Sequence, residues 1–517
     1  MKRLFLFLSS GDMRMITNHF RISERRRVIY LATVCTAVTL MAGCVVGPDF
    51  RRPATPTVAR YTPQSLPNRT ASVEVKGGEA QRFVQDMDIP GQWWTLFHSP
   101  ALDALIKEAL KSNPSLDAAE ATLRQAQENV AAQKGVFFPS ITGNLSSTRE
   151  KISGAAFGNP KSSSIFTLTS GSLNMSYVLD VFGGERRQLE SVEAQATFQR
   201  YQLEAAYLTL TSNVVAAAIE EASLRAQIAA TQEIIDAETQ QLDVLQRQFN
   251  LGGTSRAAVL AQQATLNQTQ ATLPGLQKQL AQQRVLLTAL AGRFPSQEIS
   301  QTFDLARLEL PQELPVSLPS RLVEQRPDIQ AAQATLHEAS AQVGVATANM
   351  LPQITLSGSY GNTVLDVGQL FSGPGVWSIG AGLVQPIFKG GQLLHEKRAA
   401  EAAYDAAAAQ YRNTVITAFQ NVADALRALQ SDAVSLAAQL EAERSAADSL
   451  AISRTQYQAG AINYSTLLSA ETTYQLAHIN RVIAQATRFS DTAALFQALG
   501  GGWWNRSDVA DAAPKRP

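Results

Sequence analysis

Residues that bind metals or perform catalysis are scarce in this sequence. Two cysteines and five histidines occur in 517 residues, and none of them stands at the spacing of a zinc site or a disulfide framework. The patterns typical of hydrolases, nucleotide-binding loops and metalloproteases (GxSxG, the P-loop and HExxH) are absent as well. We therefore expect no enzymatic activity, no bound metal and no cofactor.

Net charge is also lacking. The chain has 44 lysines and arginines against 44 aspartates and glutamates, and charged residues make up only 17% of it. A chain without an excess of positive charge does not favour nucleic acid as a partner. Its abundant alanine, glutamine, serine and threonine favour long, closely packed helices and walls that face water without carrying strong charge.

A long unit is present twice. Pro114 and Pro327 open similar stretches, Asn-Pro-Ser-Leu-Asp-Ala-Ala-Glu-Ala and Arg-Pro-Asp-Ile-Gln-Ala-Ala-Gln-Ala, and Pro139 and Pro352 follow them at the same spacing. The pattern stays nearly in phase as far as a glycine turn at Gly252 in the first copy. Such a repeat indicates an internal duplication. Each copy is predicted to form a helix, a β-hairpin, a very long helix, a glycine turn and a returning helix.

Apolar residues alternate with small polar ones in four predicted strands. The clearest examples are 166–169, 173–179, 354–360 and 377–383, linked by Gly- and Ser-rich loops at 149–164 and 362–374. This period is typical of a strand with one apolar face, either half-buried in a soluble sheet or placed between lipid and water. Lipid does not tolerate open sheet edges, and four strands cannot close a barrel. We therefore expect several chains to share one barrel.

Two helical stretches are too long to lie within a membrane. Residues 185–249 and 392–457 contain neither proline nor glycine, and at ~1.5 Å per residue each reaches on the order of 95 Å. Their charged and amide side chains exclude burial in lipid, so we expect them in an aqueous compartment, packed against returning helices at 256–291 and 465–499. A kink or break is expected at Pro274-Gly275.

An export signal precedes the repeats. Arg25-Arg26-Arg27 and the apolar run 28–40 have the pattern of a secretory signal. The run closes with Leu40-Met41-Ala42-Gly43-Cys44, which resembles a bacterial lipoprotein box. The resemblance implies cleavage before Cys44 and covalent lipid, including palmitate, on that cysteine. It also implies a destination in the outer membrane.

Four further stretches resemble one family. They are Cys44–Phe50, Gly91–Trp94, Leu318–Ile329 and Ala498–Trp504. Together with the repeat, they make the chain similar to outer-membrane factors of the TolC and OprM type, and most similar to the lipidated NodT-type members. The resemblance implies a mainly α fold with a pair of β-hairpins. Three chains, with four strands each, would form an outer-membrane β-barrel that continues as a periplasmic α-barrel of long coiled helices.

The same resemblance implies a function and its partners. Such homotrimers are exit ducts of tripartite pumps, and they contact a periplasmic adaptor and an inner-membrane transporter of the RND type. They conduct drugs or other small amphiphiles passively and perform no chemistry. The predicted segments are a signal peptide at 1–43, a lipidated extended segment at 44–90, a first repeat at 91–292, a connector in an equatorial belt at 293–318, a second repeat at 319–499 and a tail at 500–517.

A gate is implied at the glycine turns, where the periplasmic ends of the helices close the pore in this family. Members commonly carry an aspartate after each turn, but the matching positions here are Ala258 and Ser469. We hypothesise a gate held by packing and neutral hydrogen bonds, with Tyr457 and Tyr464 contributing. The alternative is that Ala258 and Ser469 are ordinary helix-face residues. Further candidates near the turns are Arg256, Asn463 and Glu471.

Two other functions compete with efflux. A type I protein-secretion duct would share the fold and differ only in its inner-membrane partner. A lipid-anchored coiled-coil scaffold or adhesin would explain the signal and the helices, but not four amphipathic strands at matching places in two repeats. The lipobox and the Arg326-Pro327-Asp328-Ile329 region resemble the efflux branch, so efflux is the preferred prediction.

Overall fold

The structure is a computed structural model that describes residues 45–153, 155, 158 and 161–506. The predicted signal peptide, Cys44 and residues 507–517 lie outside the described residues. The chain divides into two compact units. Within the described residues, the first consists of residues 45–50, 128–193 and 337–405, and the second of residues 51–127, 194–336 and 406–506.

The described residues form eight α-helices and six strands. The helices are α1 (Pro100–Ser112), α2 (Pro114–Gly135), α3 (Gly184–Asn250), α4 (Arg256–Leu290), α5 (Pro319–Gln325), α6 (Pro327–Ala348), α7 (Gln392–Gln458) and α8 (Tyr464–Ala498). The strands are β1 (Arg82–Gln85), β2 (Ser140–Ser153), β3 (Ser163–Leu179), β4 (Glu313–Val316), β5 (Gln353–Val364) and β6 (Val376–Val384). The predicted ends of the two long helices, α3 and α7, are confirmed to within one residue.

The first unit contains a four-stranded antiparallel sheet in the order β2-β3-β5-β6. Its strands are longer than predicted, because β2 and β5 continue to Ser153 and Val364, into segments expected to be loops. The register aligns Leu173 with Tyr360, and Tyr360 with Trp377, so that apolar side chains from neighbouring strands share one face. On the other face, Ser359 and Ser378 hydrogen bond at 2.8 Å.

The phase of β3 corrects one sequence prediction. The strand is continuous through Ser170-Gly171-Ser172, so Phe166 and Leu168 lie on the opposite face from Leu173 and Met175. Side chains alternate between the two faces with a period of two residues. The apolar residues of the first predicted run are at even positions and those of the second are at odd positions, so the two runs cannot share a face. The apolar face is therefore continuous only from Gly171 towards Leu179.

The second unit is built on aromatic residues. The Trp93 ring stacks on Phe496 with centroids 5.4 Å apart. Ser99 caps the start of helix α1, and its Oγ accepts a hydrogen bond from the Leu102 N–H at 3.3 Å. The core also includes Val214, a fully buried residue of α3, and further apolar residues of α7 and α8. Such burial stabilises a domain by ~25 cal/mol per Å² of apolar surface.

Two regions expected to lack regular structure contain strands. β1 lies in the extended segment and β4 in the connector, and they pair in parallel with Arg82 opposite Glu313. The guanidinium of Arg488 on α8 is fully buried and binds the same extended segment, donating to the carbonyls of Gly77 at 2.8 Å and Glu79 at 3.0 Å. This segment is thus fixed to the second unit by polar contacts.

Of the kink or break predicted at Pro274-Gly275, the break is wrong. Helix α4 continues through Pro274 to Leu290. Proline removes the hydrogen bond to the carbonyl four residues earlier, that of Gln270. Both Pro274 and Gln270 are exposed, so water can satisfy this carbonyl and the helix need not end. Among the described helices, none has a stretch long and apolar enough to cross a membrane.

Candidate functional site

Two turns of the same geometry join the long helices to the returning ones. Gly252 follows α3 with a φ of 77°, and Gly460 follows α7 with a φ of 73°. In each turn the next N–H donates to the carbonyl five residues earlier, at 2.7 Å for Gly253 and 2.9 Å for Ala461. This is the hydrogen bond of the Schellman motif, and its left-handed position favours glycine. The two repeats therefore end their long helices in the same way.

The returning helices begin with side-chain caps. Ser255 Oγ accepts a hydrogen bond from the Ala258 N–H at 3.2 Å, and Asn463 Oδ1 accepts one from the Thr466 N–H at 3.0 Å. Loss of such a cap costs about 1 kcal/mol. Asn463, a predicted site residue, thus has a defined structural role as the N-cap of α8.

All four of these helices contribute to a small apolar cluster beside the turns. Its buried members are Leu245 of α3, Leu450 of α7, and Tyr464 and Leu467 of α8. Ala258 and other residues of α4 pack against them, as does Tyr457. We call this set the tip cluster. It brings together three of the residues that the sequence predicted for the gate, namely Ala258, Tyr457 and Tyr464.

Two tyrosines of the tip cluster connect the first repeat to the second. The Tyr464 hydroxyl on α8 donates to Gln262 Oε1 on α4. The Tyr457 hydroxyl on α7 donates to Gln248 Oε1 on α3 at 3.3 Å. The two rings lie edge to face, with centroids 5.7 Å apart. We call these contacts the tyrosine–glutamine links. Both are neutral, as the sequence hypothesis requires.

The Tyr464 hydroxyl remains a donor over a wide pH range. Burial raises its pKa, and the charges of Glu471, Tyr457 and Glu238 raise it further. Gln262, its acceptor, is fully buried, and its Nε2 donates to the Glu238 carbonyl at 3.1 Å. Sequence reasoning missed Gln262. The signal available was its position four residues after Ala258, on the same face of a helix.

The remaining predicted residues lie around this cluster. Arg256 is exposed at the first turn of α4, and Ser469 is exposed on α8. Glu471 is buried, and its Oε1 lies 3.8 Å from an Arg454 nitrogen. Burial raises the pKa of Glu471, the Arg454 charge lowers it, and the Glu238 charge raises it again. Ala258 and Ser469 thus place no carboxylate beside the turns.

A second site lies in the first unit, directly after Cys44. The Val46 N–H donates to the Phe182 carbonyl at 3.0 Å. The Arg187 side chain, which is 5% exposed, donates to the Val46 carbonyl at 3.1 Å and to Asp49 Oδ1 at 2.7 Å. A Cβ on Gly344 would lie 2.7 Å from Arg187 Cγ, so a residue without a side chain is needed there. The chain is therefore held where the sheet meets α3.

Comparison with known sequences points to one family. Residues 105–293 and 318–501 match the family described as outer membrane efflux protein. The pyoverdine export outer membrane protein OpmQ of Pseudomonas putida is 31% identical over 80% of this chain and 89% of its own length. The cation efflux system protein CusC of Escherichia coli O6:H1 is 28% identical over 92% of this chain and 98% of its own.

Solved structures give the same assignment. The outer-membrane channel OprN has a TM-score of 0.79 at 26% identity, covering 89% of this chain and 100% of that one. The outer membrane protein VceC of Vibrio cholerae has a TM-score of 0.75 at 28% identity, covering 80% and 100%. The predicted fold class, a mainly α chain with two hairpins in a duplicated unit, is confirmed.

Proposed function

Because the chain belongs to the outer membrane efflux protein family, it is an efflux channel of the outer membrane, and we propose that it is the exit duct of a tripartite RND-type pump. In this proposal it conducts drugs or other small amphiphiles passively from a periplasmic pump assembly to the exterior. Its partners are a periplasmic adaptor and an inner-membrane RND transporter. The family is one of channels rather than enzymes.

The observation that carries the proposal is the sheet of the first unit. β2 and β6 each have one edge without a strand partner among the described residues. Large apolar side chains are exposed along the sheet, with Ile141, Trp377 and Ile379 each about 70% exposed or more. Exposure on this scale marks a surface that another molecule or lipid covers. In lipid, open edges would leave backbone groups unsatisfied, so β6 of one chain pairs with β2 of the next.

The polar face of the sheet supports the proposed substrate class. In the middle of the sheet its side chains are small and uncharged, as in the row Thr142, Asn174, Ser359 and Ser378 across the four strands. Nearer the loop between β2 and β3, the same face carries Phe166, Leu168 and Glu150. A wall of hydroxyl and amide groups imposes no strong selection by charge. Such a lumen suits amphiphiles of varied charge better than ions of one sign.

The contacts after Cys44 support a lipid anchor. Residues 46–49 are held at the junction of β3 and α3 by the Phe182 carbonyl and Arg187. A lipid on Cys44 would thus start beside the end of a strand that we place in the membrane. Two or more acyl chains give stable anchoring, whereas one chain is marginal.

The tyrosine–glutamine links support a gate without an acidic ring. They join α4 to α8 and α3 to α7 through neutral groups, while the positions that carry aspartate in the family are Ala258 and Ser469. We propose that the resting tip is closed by these two links and by the tip cluster. Opening then requires that the second repeat separate from the first.

Cysteine crosslinking of strand edges tests the shared barrel. Thr142→Cys on β2 is combined with single cysteines at successive positions of β6, and oxidised membranes are analysed by denaturing electrophoresis. We expect covalent trimers at a subset of β6 positions. Ser359→Cys replaces the β6 cysteines as the control, since β5 is paired on both sides, and should give none. Covalent dimers without trimers, or no crosslinks anywhere along β6, would contradict the proposal.

A further inference from the structure

A cavity of about 350 Å³ lies among α3, α7 and α8, next to the tip cluster. Glu233, Glu238 and Glu471 line it, together with Ile234, Leu450 and Tyr474. Leu450 also belongs to the tip cluster. We call this space the acidic cavity. Its volume is within the range of sites that hold small organic molecules, which begins at about 300 Å³.

Two carboxylate oxygens in the acidic cavity lack a partner. Glu238 is 2% exposed and Glu471 is 6% exposed. The Oε2 atom of each is buried and accepts no hydrogen bond from any residue that the structure describes. Glu238 Oε1 does have partners, accepting from Thr269 Oγ1 at 3.0 Å and Gln475 Nε2 at 2.6 Å. Buried acceptors on charged groups are destabilising unless something donates to them.

The charge around the cavity is one-sided. Arg454 lines the cavity together with the three carboxylates and lies 3.8 Å from Glu471. His478 also lines the cavity, but its Nδ1 is engaged by Glu443, which contacts Arg481 at 3.0 Å as well. Counting Glu233, which is exposed, one guanidinium against three carboxylates leaves a formal excess of two negative charges. A doubly charged cation would balance them.

We propose that the acidic cavity binds a small aliphatic diammonium ion, whose ammonium groups pair with the carboxylates of Glu238 and Glu471. Each ammonium carries three donors and no acceptor, which matches carboxylate oxygens without partners. The methylene chain would contact Ile234 and Leu450, and a cation can also lie over the Tyr474 ring. A metal ion fits less well, because no group of three His, Cys, Asp or Glu residues within the described chain could coordinate it.

Calorimetric titration of the purified, full-length trimer with putrescine at pH 7.5 tests this site. We expect saturable binding that becomes at least tenfold weaker in Glu471→Gln and in Glu238→Gln. Glu220→Gln is the matched control, since it removes the same charge from an exposed position of α3 outside the cavity, and its affinity should stay within twofold of wild type. Ala447→Leu should abolish binding by filling the cavity without changing charge.

Neutral 1,4-butanediol separates charge recognition from simple filling of space, and we expect it not to bind. Equal weakening in Glu220→Gln and Glu471→Gln would show surface association and overturn the proposal. Absence of saturable binding by the wild type at pH 7.5 would also overturn the proposal. It would mean that a proton on Glu471, rather than a bound cation, neutralises the buried carboxylate. Neither result bears on the exit-duct function, which depends on the sheet.

Discussion

Replacing Tyr464 with phenylalanine should open the resting channel. The substitution keeps the ring in the tip cluster but removes the hydroxyl that donates to Gln262. Gln262 is fully buried, so its Oε1 would lose its donor where water cannot replace it. An unsatisfied buried polar group costs about 1–3 kcal/mol. If opening exposes this group to water, the closed state alone is destabilised, and the open population should rise about 5- to 150-fold per chain.

Single-channel recording in planar bilayers measures this effect. The purified Tyr464→Phe trimer should show frequent openings at voltages where the wild type is mostly closed. Tyr457→Phe is the matched control, because its bond to Gln248 is longer, at 3.3 Å, and both the ring and its acceptor are more exposed. Its loss should cost about 0.5 kcal/mol, the lower end for a hydrogen bond, which raises opening roughly twofold.

A double variant makes the test independent of general damage. Tyr464→Phe combined with Gln262→Leu removes both partners of the bond, which is close to neutral when apolar groups of similar shape replace them. The double variant should therefore close more fully than Tyr464→Phe alone. A Tyr464→Phe channel that opens no more often than the wild type would refute a gate held by the tyrosine–glutamine links.

Three further outcomes follow from the same structure. Ser469→Asp places three carboxylates at an exposed position near the turns, so the reversal potential in a salt gradient should shift towards cation selectivity; unchanged selectivity would mean that the constriction lies elsewhere. Burial, with Asp491 adding and Arg488 opposing, raises the pKa of Asp432 from 3.8 to about 7. The folded protein keeps this proton at pH values where the unfolded chain has already lost it. The stability of the wild type, measured as its denaturation midpoint, should therefore decrease as the pH rises from 4 to 7, and this decrease should be absent in Asp432→Asn. Cys44→Ser should remove palmitate labelling without removing the trimer, and loss of the trimer instead would show that the lipid is needed for assembly.

The sequence was most informative where one residue type enforces a geometry. The two long helices end where Gly252 and Gly460 adopt positive φ angles, and both ends were predicted within one residue. Residues 185–249 contain neither proline nor glycine, and the sequence therefore predicted one uninterrupted helix there. Such local constraints need no knowledge of the rest of the fold.

Contacts between distant segments were beyond sequence reasoning. β1 pairs with β4 more than two hundred residues later, with only four residues in each strand, which is too few to show a period. Arg488 binds the extended segment through backbone carbonyls, and carbonyl acceptors leave no signature in the side chains. The extended segment therefore appeared irregular in sequence although it is well fixed in the fold.

The candidate site was predicted in part, for the same reason. Tyr457 and Tyr464 stood out as aromatic residues beside glycine turns, and the structure places both in the tip cluster. Their acceptors, Gln248 and Gln262, are two among many glutamines on the helices, and only the packing of α3 and α4 against α7 and α8 selects them. Glu238 was missed because its relation to Glu471 crosses two helices of different repeats.

In-cell crosslinking of the tagged, lipidated protein tests the central claim most directly. The trimer is purified after crosslinking, and the proteins that accompany it are identified by mass spectrometry. The proposed function predicts a periplasmic adaptor together with a proton-driven transporter of the RND type. Recovery of an ATP-driven exporter in place of that transporter would contradict it and assign the duct to protein secretion.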